Sequence, residues 1–138
     1  MKLRALGLIL LGICVLSITS ASGLTGLKSA DQAKLAGTWE LEIDAEGEYY
    51  YLTVVIEESD GILSGKISEE SGFFTDVVIE KIIFNGQTLT FQFDAPTPPD
   101  GEERILIAEL VFSGDICKGT ISIEDLGMIV DVSGKKEK

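Results

Sequence analysis

From Thr38 to Val132 apolar and polar residues alternate in short runs, and turns rich in glycine and acidic residues separate them. A period of two sends successive side chains to opposite faces, so each run reads as a strand with one dry side and one wet side. Leu89, Phe91 and Phe93 against Thr88, Thr90 and Gln92 form the clearest case. No run at helical spacing is long enough to cross a sheet, so the chain must bury its apolar rows sheet against sheet.

The first strand carries Trp39, Leu41 and Ile43 inward, and Ala45-Glu46-Gly47-Glu48 turns it into a second row of Tyr50, Leu52, Val54 and Ile56. Asp60-Gly61 is a hairpin signal leading to Leu63, Gly65 and Ile67. Between Phe73 and Phe84 the parity changes: Val77 and Ile79 fit one face, Ile82 and Phe84 the other. A one-residue bulge near Glu80-Lys81 reconciles them. Asn85-Gly86 predicts a type I′ hairpin before Leu89. All three prolines fall in Ala95-Pro96-Thr97-Pro98-Pro99-Asp100-Gly101, which predicts a loop that no strand enters and the rim of any opening. Arg104 to Phe112 is apolar on both faces, with Leu106, Ala108, Leu110 and Phe112 inward and Ile105, Ile107 and Val111 outward. Gly114-Asp115 and Asp125-Leu126-Gly127 then turn the chain into Cys117–Ile123 and Met128–Val132.

Eight strands in sequential hairpins predict an all-β, up-and-down antiparallel barrel, with a two-sheet β-sandwich as the alternative. Closure removes the open edges that such apolar strands would otherwise leave. Ile62-Leu63-Ser64-Gly65-Lys66-Ile67-Ser68 repeats in spacing as Ile116-Cys117-Lys118-Gly119-Thr120-Ile121-Ser122. The shared glycines predict equivalent places where a coiling strand has no room for a Cβ.

The ends read differently. Lys2 and Arg4, the apolar run Ala5–Ile18 and the small residues Thr19–Gly23 have the order of a secretory signal peptide over residues 1–22. The alternative is an uncleaved membrane anchor, but the apolar run falls short of the ~20 residues a spanning helix needs, and no membrane span is expected after its removal. The expected destination is the cell exterior or a periplasm. Residues 23–36 form a connector with a short helical turn, where Ser29 and Gln32 stand at capping-box spacing. The barrel occupies 37–133, and 134–138 is a charged tail expected to fray.

Leu35-Ala36-Gly37-Thr38-Trp39-Glu40-Leu41 resembles the opening strand of calycin barrels, the lipocalins, fatty-acid-binding proteins and avidins, which share Gly-x-Trp there. Asp60-Gly61-Ile62-Leu63-Ser64-Gly65 and Phe112-Ser113-Gly114-Asp115-Ile116-Cys117-Lys118-Gly119 are similar to motifs of small exported lipocalin-like domains of no assigned activity. The resemblance implies the barrel and a Gly37–Trp39 base. It implies no particular ligand, because the Thr-Asp-Tyr of lipocalins, the late stacking arginine and the extra tryptophans of avidins are missing.

Chemistry is scarce. The chain has no histidine, the residue most used for acid–base work near neutral pH and the commonest transition-metal ligand. Carboxylates occur in turns, as Glu57-Glu58-Asp60, Glu69-Glu70, Asp100-Glu102-Glu103 and Glu124-Asp125, where solvated charge is the ordinary state. No catalytic, metal or cofactor site is expected. Cys117 points inward with Gly119 and Ile121, as an inert thiol. The formal charge of −12 repels nucleic acid.

Two functions stay open. A binder of a small apolar ligand would use Trp39, Tyr50, Leu52, Phe91, Phe93, Leu106 and Ala108 as its wall, with Trp39 alternatively plugging the base. A filled barrel would act as a structural or protein-interaction module, since eight strands leave an interior only just wide enough for side chains. A connected void of roughly 300 Å³ or more at the proline-rich end separates the two. Tyr49 and Tyr51 face outward, as surface for glycans or partners or as cross-strand packing. The outward Ile105, Ile107 and Val111 predict a cover, either the N-terminal segment, a neighbouring protein or a second copy in a homodimer.

Overall fold

Two tight turns set the first hairpins. Glu46 and Gly47 have φ of 55° and 93°, and Asp60 and Gly61 have 52° and 79°, the left-handed pair a type I′ turn demands. In each, a carboxylate three residues before the glycine accepts its amide: Asp44 Oδ1 at 3.1 Å from Gly47 N and Glu58 Oε1 at 2.8 Å from Gly61 N. The acidic turns are therefore held by their own side chains.

A computed structural model describes residues 31–138. Residues 31–35 are helical, and nine strands follow: β1 (Gly37–Ala45), β2 (Glu48–Ser59), β3 (Ile62–Glu69), β4 (Val77–Val78), β5 (Glu80–Phe84), β6 (Thr88–Thr97), β7 (Glu102–Ser113), β8 (Ile116–Ile123) and β9 (Met128–Lys136). A 3₁₀ turn, Glu124–Leu126, joins the last two. The strands form one antiparallel sheet in the order β4-β3-β2-β1-β9-β8-β7-β6-β5, an all-β, up-and-down, nearly closed barrel. The signal peptide and the Ser29–Gln32 capping box lie wholly or partly outside the described residues. Among those described, no helix is long and apolar enough to cross a membrane.

Closure depends on residues 77–84. β4 pairs with β3 through Ile67↔Val77 and Lys66↔Val78, and β5 pairs with β6 through Glu80↔Gln92, Ile83↔Thr90 and Phe84↔Leu89. The register slips between Glu80 and Ile83, and Lys81 takes φ of 49°. This is the bulge that the parity change required. One bent strand thus serves both edges, which reconciles nine elements with eight strand positions. Ile79 plugs the gap it spans: its amide donates to Gly65 O at 3.1 Å and its side chain is buried.

The repeated glycines have a steric cause. A Cβ on Gly65 would stand 2.5 Å from Val55 O and 3.0 Å from Ile79 Cδ1. On Gly119 it would collide with Glu109 O and lie 2.8 Å from Glu109 C. Both sit where a strand is pressed onto the backbone of its predecessor, as strong coiling requires.

Three expectations are corrected. The tail does not fray: β9 runs to Lys136, Trp39 pairs with Lys136, and Glu137 N donates to Thr38 O at 2.8 Å. Gly134 lets this end pass under Leu41 and Cys117, where no Cβ fits. Pro96 lies inside β6, opposite Glu103. β5 accompanies β6 no further than Gln92, so Pro96 occupies an edge and the missing donor costs little. At Asn85-Gly86 only Gly86 has positive φ, 100°, so the turn is not type I′. Asn85 Oδ1 instead accepts the amides of Gln87 (3.0 Å) and Thr88 (2.7 Å), the side chain imitating backbone.

Candidate functional site

The inward rows divide the interior into a filled half and an open half. At the base Trp39 is 1% exposed, meets Phe112 edge-on at 4.7 Å, and donates Nε1–H to Leu35 O at 2.9 Å. The Lys136 ammonium stands 5.8 Å from the indole centroid and donates to Lys34 O at 2.9 Å. Leu89, Phe91, Leu110 and Cys117 complete this packing. Burial pushes the Cys117 thiol up to about 11, so it stays protonated and unreactive at neutral pH.

At the opposite end lies a cavity of about 450 Å³. Ile43, Tyr50, Leu52, Phe93, Leu106 and Ile121 form its depth, while Pro96, Thr97, Pro98 and Pro99 carry one rim and Phe73 and Phe74 the other. Phe74 leans on Phe93 with centroids 5.8 Å apart. The proline-rich segment borders the opening, where the sequence put it.

Of the residues expected to contact a ligand, Tyr50, Leu52, Phe93 and Leu106 line this cavity. Trp39, Phe91 and Ala108 do not: all three are buried among the packed side chains below it. They share the inward parity, but parity cannot say how far along the barrel axis the interior is occupied.

Two polar groups at the mouth escaped the sequence reading. Glu69 is not a solvated turn carboxylate; it is 8% exposed and lines the cavity. Ser71 Oγ donates to both its oxygens at 2.7 Å, and Phe73 N donates to Oε2 at 3.2 Å. Burial pushes this carboxyl up, but the Ser71 hydroxyl and the amides of Phe73, Ser71 and Gly72 outweigh it and leave the group below its usual value, hence ionised. Arg104 is 9% exposed and grips Asp100 by two bonds of 2.7 Å, while Nη1 also donates to Thr97 Oγ1 at 2.8 Å. The guanidinium holds the Asp100 carboxyl well below the ordinary range and folds the rim loop back on its strand. The signal for both was parity: Glu69 continues the row of Ile67, and Arg104 the row of Leu106 and Ala108.

Near Glu69, the Tyr50 hydroxyl donates to Glu48 Oε2 at 3.0 Å, which raises the phenol above its ordinary value. A second, wider concavity of about 760 Å³ lies against β1, β2, β8 and β9, with Glu40, Glu42, Lys118 and Lys135 of both signs in its wall. Among the described residues no three His, Cys, Asp or Glu side chains converge to hold a metal ion.

Ile105 and Val111 are 50% and 41% exposed on the outer face, and Ile107 is partly covered. Residues 31–35 do not shield them, since Leu35 and Lys34 contact the base through Trp39 and Lys136. No protein-family model, no curated protein and no solved structure matches the chain.

Proposed function

We propose that this chain is an exported, lipocalin-like barrel that carries a small apolar molecule in its wide end and performs no catalysis. The cavity of about 450 Å³ carries the reading. It exceeds the roughly 300 Å³ that small-molecule sites begin at, and its depth is aliphatic and aromatic with few polar groups. The packed base supports it too, because a closed bottom and an open top suit retention better than passage. Native mass spectrometry of the full chain purified from its own host tests it. A bound mass that leaves on denaturation is the expected result. Bare chain, with no uptake of added decanol, would refute the proposal.

A second reading, a module that pairs with another protein or with its own copy through Ile105, Ile107 and Val111, draws on the exposure of Ile105 and Val111. A concentration-independent monomer in sedimentation would dispose of the self-pairing form.

A further inference from the structure

Charge is unevenly distributed along the barrel axis. Each of the four turns at the wide end carries two or three carboxylates, among them Glu46 and Glu48, Glu69 and Glu70, Glu102 and Glu103, and Glu124 and Asp125. The single basic side chain in these turns and their flanking strand ends is Arg104, and Asp100 and Glu102 already engage it. The described lysines, 34, 66, 81, 118, 135, 136 and 138, all lie in the middle or at the base.

Within this field Glu69 is distinctive. It is an ionised carboxylate, nine-tenths buried, in the wall of an apolar cavity, and among the described residues no cation lies within ion-pair distance of it. The Ser71 hydroxyl and the nearby amides of Ser71, Gly72 and Phe73 give it hydrogen bonds but no opposite charge. A buried charge is costly unless paired, so a cation entering the cavity meets a carboxylate that still lacks a counter-charge. Tyr50, Phe73, Phe74 and Phe93 line the same cavity, and aromatic rings attract cations.

We infer that the ligand is a cationic amphiphile, an apolar body bearing one amine or quaternary ammonium, whose body fills the cavity and whose charge sits at Glu69 under the acidic rim. This rests on the binding role proposed above and specifies the ligand's class. Acidic or phosphate-bearing lipids are disfavoured by the same field, and neutral ones leave Glu69 without a counter-charge.

Calorimetric titration of the full chain at neutral pH with decylamine, decanol and decanoate tests the inference. Decylamine is expected to bind at least about tenfold more tightly than decanol, and decanoate most weakly. Glu69→Gln brings decylamine to the affinity of decanol and leaves decanol unchanged. Glu57→Gln, at the far end of β2, removes the same unit of charge and leaves decylamine unchanged. Should Glu69→Gln fail to fold, Glu48→Gln on the exposed rim must still weaken decylamine selectively. Equal affinity for decylamine and decanol overturns the inference while leaving an apolar carrier standing. Equal losses in Glu57→Gln and Glu69→Gln overturn it as mere attraction to an acidic protein. No uptake of any of the three overturns the carrier and this inference together.

Discussion

The indole N–H of Trp39 reaches the carbonyl oxygen of Leu35 across 2.9 Å, and this bond, with that from Lys136 to Lys34 O, ties the helical residues 31–35 to the floor of the barrel. Both partners are buried, so the bond closes the base and satisfies a carbonyl that has no strand neighbour. The ring also fills the floor against Phe112.

Trp39→Phe should therefore cost about 1–3 kcal/mol, the penalty of an unpaired buried carbonyl plus a partial void. Denaturant unfolding measures it. Affinity for decanol should not change, because the floor and the cavity are separate. A matching loss of affinity would mean that the two ends are coupled.

Gly119→Ala and Gly61→Ala separate two reasons for a glycine. At Gly119 the new Cβ meets the Glu109 carbonyl, so strands β7 and β8 must part, at a cost of about 1–3 kcal/mol or more. At Gly61 nothing lies within 4 Å and only the φ of 79° objects, so about 1–2 kcal/mol is expected. Thermal unfolding should rank Gly119→Ala as the less stable.

These glycines also show what a single chain makes legible. Alternation in Leu89–Phe93, the parity break at Lys81 and the paired glycines are local patterns, and each had its predicted counterpart in the fold. The ordered tail was not legible, because its partners Trp39 and Glu40 lie nearly a hundred residues away and nothing near Gly134 announces them. Pro96 misled because a proline is tolerated where one neighbouring strand has ended, and that end is set by β5. Parity marks Glu69 and Arg104 as inward, whereas composition assigns charge to solvent. The division of the interior at Phe91 and Phe93 depends on how far along the barrel axis side chains fill the middle, which periodicity does not encode.

Cys117 predicts an alkaline instability. Its folded value of about 11 stands above the ordinary value of 9.0, so the unfolded chain loses this proton first. The contribution is fully present below pH 9 and declines as pH rises toward 11, by roughly 2–3 kcal/mol in all. Cys117→Ala should flatten stability over that window. An unchanged slope in denaturant titrations at pH 9 and 11 would assign it to the tyrosines and lysines instead.

Ala45 lines the mouth with a small side chain. Ala45→Phe should occupy part of the void, lower decanol affinity by at least about tenfold, and change stability by no more than about 1 kcal/mol. Calorimetry and thermal melting of the same preparation check both halves.

The claim that the barrel is packed below and vacant above is tested most directly by methyl-resolved NMR during titration with decanol. Shifts are predicted for Ile43, Leu52, Leu106 and Ile121 around the cavity, with Leu35, Leu89 and Leu110 unmoved in the base. Movement of the outer Ile105 and Ile129 while the cavity methyls stay still would contradict it.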